Sequence, residues 1–179
     1  MYTIKGYHYA IDSGEQYMKS RTTKKPYLSI VLPVFNEAEN IELQYKHIVD
    51  AMNKTSYSYE IVFVDDGSID NSFKLLELIA ANDRHVHVVQ FRRNFGQTAA
   101  MAAGIDYAKG DIIIFMDSDL QNDASDIPLL VQKIEEGYDV VSGWRKNRHD
   151  KLLSRKIPSR IANWLIAKIT GVHLHDLGC

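Results

Sequence analysis

The feature that most limits how this chain can fold is the alternation of short β-branched runs with stretches of helical periodicity between residues 27 and 143. Leu28-Ser29-Ile30-Val31-Leu32, Glu60-Ile61-Val62-Phe63-Val64, Val86 to Phe91, Asp111 to Met116 and Tyr138 to Gly143 read as strands, the first stopped by Pro33. Between Asn36 and Lys54, apolar residues fall at Ile41, Tyr45, Ile48, Val49 and Met52, which is helical spacing. A second helix starts at a cap on Asp70 or Ser72 and turns Leu75, Leu76, Leu78 and Ile79 to one side. Gly96 to Ala108 is an alanine-rich helix, and Asp126 to Glu136 is another, capped near Ser125 and stopped by Gly137. Pro158 and Gly171 bracket a further helix at about 158 to 170. Strand and helix in strict turn predict an α/β fold with a mainly parallel, Rossmann-like sheet flanked by helices. The run Ile112 to Met116 is apolar at every position, as in a strand covered on both faces.

The same sequence excludes several classes. Its 179 residues suit one domain, placed here at 27–179, behind a polar extension over 1–26. With 45% hydrophobic and 25% charged residues, the chain can bury a core. The single cysteine, Cys179, rules out a disulfide framework and points to a reducing compartment. No apolar run approaches the roughly 18 residues of a membrane span, and residues 1–25 lack the apolar stretch of a signal peptide. Asn53-Lys54-Thr55 fits the glycosylation pattern by chance alone. Neither G-x-G-x-x-G nor a P-loop is present, so a bound nucleotide's phosphates need cations instead of a glycine-rich cradle. The formal charge of -2 hides a basic stretch. From Arg145 to Lys168 there are eight basic residues against one acid, Asp150. This is either a solvated basic helix or a surface for phosphate groups or anionic lipid. Nucleic acid is disfavoured, because the only interleaved aromatics are Trp144 and Trp164 and the overall charge is negative.

Ligands of parallel sheets bind beyond the carboxyl ends of the strands. Those ends carry Asn36-Glu37, Asp65-Asp66, Asp117-Ser118-Asp119 and Arg145. Two carboxylates two residues apart, with Gln121 two further on, form an oxygen set suited to magnesium shared with a diphosphate. A plain Asx-turn is the competing account. Asp65-Asp66-Gly67-Ser68 is either a tight glycine turn or a pair of acceptors for a base or ribose. Pro33 to Glu37 could wall a flat base. Arg145, Arg148 and Arg155 match phosphate geometry, and the helix start at Pro158-Ser159 offers free N–H groups. Ile161, Trp164, Leu165 and Ile169 form an apolar stripe on that helix, for a core or a membrane surface.

Five motifs in order carry a resemblance: V-L-P-V-F-N-E at 31–37, V-D-D-G-S-I-D at 64–70, R-N-F-G-Q at 93–97, M-D-S-D-L-Q-N-D at 116–123, and G-W-R followed by S-R-K-I-P-S-R. They resemble family-2 glycosyltransferases of the GT-A fold, in the branch that acts on polyprenyl phosphates, dolichyl or undecaprenyl. The resemblance covers about residues 27 to 179. It implies a UDP- or GDP-linked sugar donor, Mg²⁺ or Mn²⁺, and a polyprenyl phosphate acceptor at the cytoplasmic face of a membrane, for cell-envelope glycan or glycolipid synthesis. By position, Pro33, Asn36, Glu37, Asp65 and Asp66 would serve the base and ribose, with Asp117 by the ribose and diphosphate. Asp119 and Gln121 would hold the metal. Arg145 and Arg155, with Ser159, would hold the acceptor phosphate. Asp117, Asp119, Arg145 and Arg155 are therefore the expected catalytic set.

Two departures stand out. Ser118 replaces the family's usual alanine, and Asp123 stands where proline or histidine is usual. The chain ends at His175-Asp176-Leu177-Gly178-Cys179, where the branch continues, so it reads as truncated and as anchored by a segment it lacks. The resemblance implies inversion by one in-line displacement. A phosphate acceptor, whose second pKa is about 6, is already anionic and needs no general base. Two other readings are a nucleotide-binding piece without turnover and a haloacid-dehalogenase-type phosphohydrolase. The latter expects Thr or Val where Gln121 stands. Sugar, base, lipid length and any homo-oligomeric state are not encoded legibly.

Overall fold

The computed structural model describes residues 25–143. Four parallel strands, β1 (Leu28–Val34), β2 (Tyr59–Asp65), β3 (Val86–Gln90) and β4 (Ile112–Phe115), lie in the order β3-β2-β1-β4. Helices α1 (Ile41–Met52), α2 (Ser72–Asn82) and α3 (Gln97–Tyr107) make the crossovers. A single 3₁₀ turn, Ala124–Asp126, leads into α4 (Ile127–Glu135). The chain divides into two compact units at Ile127/Pro128. The first holds the sheet and α1 to α3, and the described part of the second is most of α4 and the residues after it.

β1 and β2 form where they do because they are apolar on both faces, whereas β4, expected to be covered on both, leaves Phe115 38% exposed. In β1 every residue but Pro33 is buried, and all of β2 after Tyr59 is buried. The expected stop at Pro33 is corrected: β1 runs on to Val34. Proline removes a ladder donor, yet β4 pairs with β1 only as far as Val31↔Phe115, so no neighbour on that side misses the N–H. On one face α3 covers β1 and β2. Val31, Val62, Val64 and Val89 meet Ala100 and Ala103 in one cluster. The alanines matter because the helix lies close to the sheet. A Cβ placed on Gly104 would sit 2.2 Å from Val31 Cγ1. Ile41, Ile48, Met52 and Leu76, wholly or almost wholly buried, supply the inward faces of α1 and α2. Each such side chain contributes about 1.5–3 kcal/mol of burial.

The expected fifth strand over Tyr138–Gly143 is also corrected, since these residues form no strand. Tyr138 is 60% and Val140 64% exposed. A β-branched run becomes a strand only when a neighbour supplies ladder partners, and local propensity cannot supply them. The expected helix from Pro158 and the extension over 1–24 lie outside the described residues.

The chain lays down β1, β2 and β3 to one side, then returns across β1 to place β4 on the other. The β1/β4 boundary is therefore the point where the winding reverses, and ligands of such sheets bind beyond the carboxyl ends of the strands. Among the described residues, the motifs that follow β1, β2 and β4 lie at that carboxyl edge.

Candidate functional site

The loop after β1 turns on Asn36, whose φ of 57° is left-handed. It is clasped to the loop after β2 in both directions. Asn36 N donates to Ser68 Oγ at 2.9 Å, and Ile69 N donates to Asn36 Oδ1 at 2.9 Å. Glu37 N donates to Ser72 Oγ and Ala38 N to Asp70 Oδ2, so four bonds fix the two loops together. Glu37 Oε2 accepts from the Asn40 amide at 2.7 Å. Asp70 also accepts from Ser72 N at 2.9 Å, at the start of α2. Burial works to raise the Asp70 carboxyl, and the hydrogen bonds from Ser72 and Ala38 together outweigh it and hold the group below its ordinary range.

Asp65 and Asp66 divide into two roles. Asp65 is wholly buried at the end of β2. Its Oδ1 accepts from Ser68 N at 3.2 Å, and no donor among the described residues lies within hydrogen-bond distance of Oδ2. Burial pushes this carboxyl up, against the weaker pull of the Ser68 hydroxyl and amide and the Gln90 side chain. Asp66, 3% exposed, has both oxygens engaged. Oδ1 accepts from Phe95 N at 2.7 Å and Oδ2 from Gly96 N at 2.8 Å. Gly67 permits the contact. A Cβ there would meet the Arg93 carbonyl carbon at 2.3 Å, and its φ is 71°. Gly96, at φ 95° and ψ 155°, takes a backbone shape reserved for glycine.

Beyond β4, Asp117 and Asp119 are half buried. Asp117 N donates to Asn122 Oδ1 at 3.0 Å, and the Gln97 amide donates to Asp117 Oδ1 at 2.9 Å. Ser118, 6% exposed, donates its hydroxyl to the Pro33 carbonyl at 2.9 Å. This bond ties the aspartate loop to β1. Asp119 Oδ1 accepts from Gln121 N at 3.0 Å across Leu120, itself left-handed at φ 64°. The Asx-turn and the oxygen-bearing arrangement thus coexist. Asp123, the other departure, accepts from Ser125 N at 2.9 Å and caps the 3₁₀ turn, which holds its carboxyl below the ordinary value.

A cleft of about 500 Å³ opens between the ends of β1, β2 and β3. Its walls include Phe35, Gly67, Ser68 and Ile69 on one side and Gln90 to Asn94 on the other. Phe35 is 44% exposed and Arg93 lies 4.2 Å over the Phe95 ring. Pro33, Asn36, Glu37, Asp65 and Asp66 are not among its lining residues, although Phe35 and Gly67 to Ile69 beside them are. Those five shape the loops that form it. Sequence reasoning missed Phe35's neighbours across the cleft, the Ser118 anchor and Gln97, because each depends on a contact between distant segments. Arg145, Arg155 and Ser159 lie outside the described residues.

The donors at Asp117, Asp119 and Gln121 are all oxygens, as a hard divalent ion requires. Among the described residues no group of three or more His, Cys, Asp or Glu side chains is placed to cage a metal.

The parallel sheet flanked by helices is shared with solved GT-A structures. Residues 29–176 match glycosyl transferase family 2, and the chain belongs to that family. A dodecaprenyl-phosphate galacturonate synthase of Rhizobium johnstonii is 47% identical over 154 residues, covering 85% of this chain and 46% of that protein. An undecaprenyl-phosphate 4-deoxy-4-formamido-L-arabinose transferase of Pseudomonas fluorescens is 45% identical over 160 residues, covering 87% of this chain and 47% of that protein. The chain spans about half the length of these curated relatives. Among solved structures, the mannosyltransferase PcManGT of Pyrobaculum calidifontis, in complex with GDP-Man and Mn²⁺, superposes with a TM-score of 0.50. That superposition covers 62% of this chain and 32% of the other at 24% identity, a likeness of fold.

Proposed function

We propose that the chain is the donor-binding part of an inverting glycosyltransferase that moves a sugar from a UDP- or GDP-linked donor to a polyprenyl phosphate. The reaction takes place at the cytoplasmic face of a membrane. The observation that carries this reading is the anchored aspartate pair. Asp117 is fixed through its backbone and one oxygen, while Asp119 is held in a tight turn beside it. Family membership and the polyprenyl-phosphate relatives support the substrate class.

In this reading the base enters the cleft against Phe35, with Arg92 and Arg93 at its rim. Asn36 and Ser68 hold the walls at the right separation, and Asp65 and Asp66 stabilise the loops from beneath. Asp117 orients the ribose and diphosphate. Asp119 and Gln121 would hold Mg²⁺ or Mn²⁺, which when bound supplies positive charge against the departing nucleoside diphosphate. Arg145 and Arg155, with Ser159, place the acceptor phosphate oxygen, already anionic, in line with the anomeric carbon. Its lone pair displaces the diphosphate, and no proton needs removal.

The test uses the full-length protein, manganese and polyprenyl phosphate in a screen of UDP- and GDP-sugars, read as lipid-linked product. Asp119→Asn should abolish transfer. Retained transfer removes the metal role. Binding of UDP or GDP by the wild type without any lipid-linked product reduces the protein to a nucleotide-binding module.

A further inference from the structure

The R-N-F-G-Q segment has no assigned task, yet it joins the two acidic motifs. Asp66, buried and with both oxygens engaged, draws Phe95 N and Gly96 N toward the end of β2. Gly67 lets that end press against Arg93, closer than any side chain would allow. Phe91 and Phe95 meet edge to face at 5.5 Å and brace the loop from within. The loop then turns on Gly96 and delivers Gln97 as the first residue of α3. From there its amide reaches Asp117 Oδ1 at 2.9 Å.

Asp117 has little other freedom. Its N–H is fixed by Asn122, and the next residue's hydroxyl is fixed on the Pro33 carbonyl. What remains is rotation of the carboxylate about its side-chain bonds, which the Gln97 amide restrains by occupying one oxygen. Gln97 is exposed, so this hydrogen bond adds little to folding. An amide also suits the position chemically. It donates to a carboxylate, whereas a glutamate there would repel it.

We infer that Gln97 is a positioning residue for Asp117, and that Asp66 and Gly67 act on the aspartate pair through it. The hydrogen-bond path runs from β2 through the 93–97 loop to the end of β4. The inference rests on the proposed function, because it is the nucleotide that would feel the orientation of Asp117.

The test is calorimetric titration of UDP and GDP with manganese into the full-length protein, alongside thermal melting. Gln97→Met keeps the reach and removes the donor. Gln97→Lys keeps reach and donor. Met should weaken binding of the preferred nucleotide about 5- to 10-fold, the factor one ordinary hydrogen bond supplies, with an unchanged melting temperature. Lys should restore affinity to within about threefold of the wild type. In an Asp117→Ala background Gln97→Met should have no further effect, the signature of direct coupling. Equal losses in both backgrounds, full affinity in Gln97→Met, or a Lys variant as weak as Met would each overturn the positioning role and leave the proposed function standing. A wild-type protein that binds neither nucleotide overturns both together.

Discussion

At the scale of single residues, burial and polarity are decided by partners. Gln44 is 1% exposed in α1, and neither end of its amide has a hydrogen-bond partner among the described residues. A buried amide without partners costs about 1–3 kcal/mol. Gln44→Met, similar in shape and apolar, should therefore stabilise the protein by about 1 kcal/mol and raise its melting temperature by about 2–4 °C. A fall in melting temperature would show that the amide is satisfied. Asp66 is the opposite case. Charge-assisted bonds to two backbone N–H groups are each worth about 1.5–3 kcal/mol, so Asp66→Ala should cost about 3 kcal/mol in chemical denaturation. The acidic pair after β2 was legible in the sequence as a sheet-end motif. Its division into a buried floor, Asp65, and a loop anchor, Asp66, was not, because the N–H groups that Asp66 holds lie 29 and 30 residues away. Ser118 stands where the family usually has alanine. Its hydroxyl reaches a carbonyl 85 residues distant.

At the scale of elements, close approach outweighs propensity. Alanine is favoured over glycine in a helix by about 1 kcal/mol. Gly104→Ala in α3 should nonetheless destabilise, since its methyl would overlap Val31 Cγ1. Val31 is β-branched and stiff, and forced overpacking costs about 1–3 kcal/mol. A net loss of about 1 kcal/mol in urea midpoint analysis is expected, and a gain would show that α3 can lift off the sheet. Elements are also pinned by polar staples at the far edge. Tyr45 of α1 donates its hydroxyl to Asp83 Oδ2 at 2.9 Å, in the connection from α2 to β3. Burial, then this bond and the nearby negative charge, push the Tyr45 phenol from 10 to about 12. A folded-state pKa raised above the unfolded one contributes stability that is present below pH 10 and lost as pH rises through 12. Tyr45→Phe should flatten the fall in stability across that window, by less than about 1 kcal/mol because the group is partly exposed. Periodicity located α1 to α4 within a few residues at most termini. It started α1 too early, at Asn36, because residues 36–40 are held in the clasp with the β2 loop. It also could not distinguish the β-branched run at 138–143 from a strand.

At the scale of the whole molecule, nucleotide and metal should act as one stabilising ligand. At about 100 times Kd, UDP or GDP with manganese should add about 2.7 kcal/mol and raise the melting temperature by about 5–10 °C. Asp119→Asn should remove the manganese-dependent part of that rise in the same melting experiment. An unaltered rise would place the ion elsewhere. The sequence by itself determined the layered α/β class, the position of the four strands and the chemical character of the sheet edge. Those are properties of local pattern: β-branched runs apolar on both faces need cover from helices, and carboxylates placed directly after them must emerge at one edge. Tertiary structure alone decided the strand order β3-β2-β1-β4, the continuation of β1 through Pro33, and which polar side chains tie distant loops together. The reason is physical. Pairing and hydrogen bonding between segments 30 to 85 residues apart depend on where packing brings them, and no local pattern records that distance.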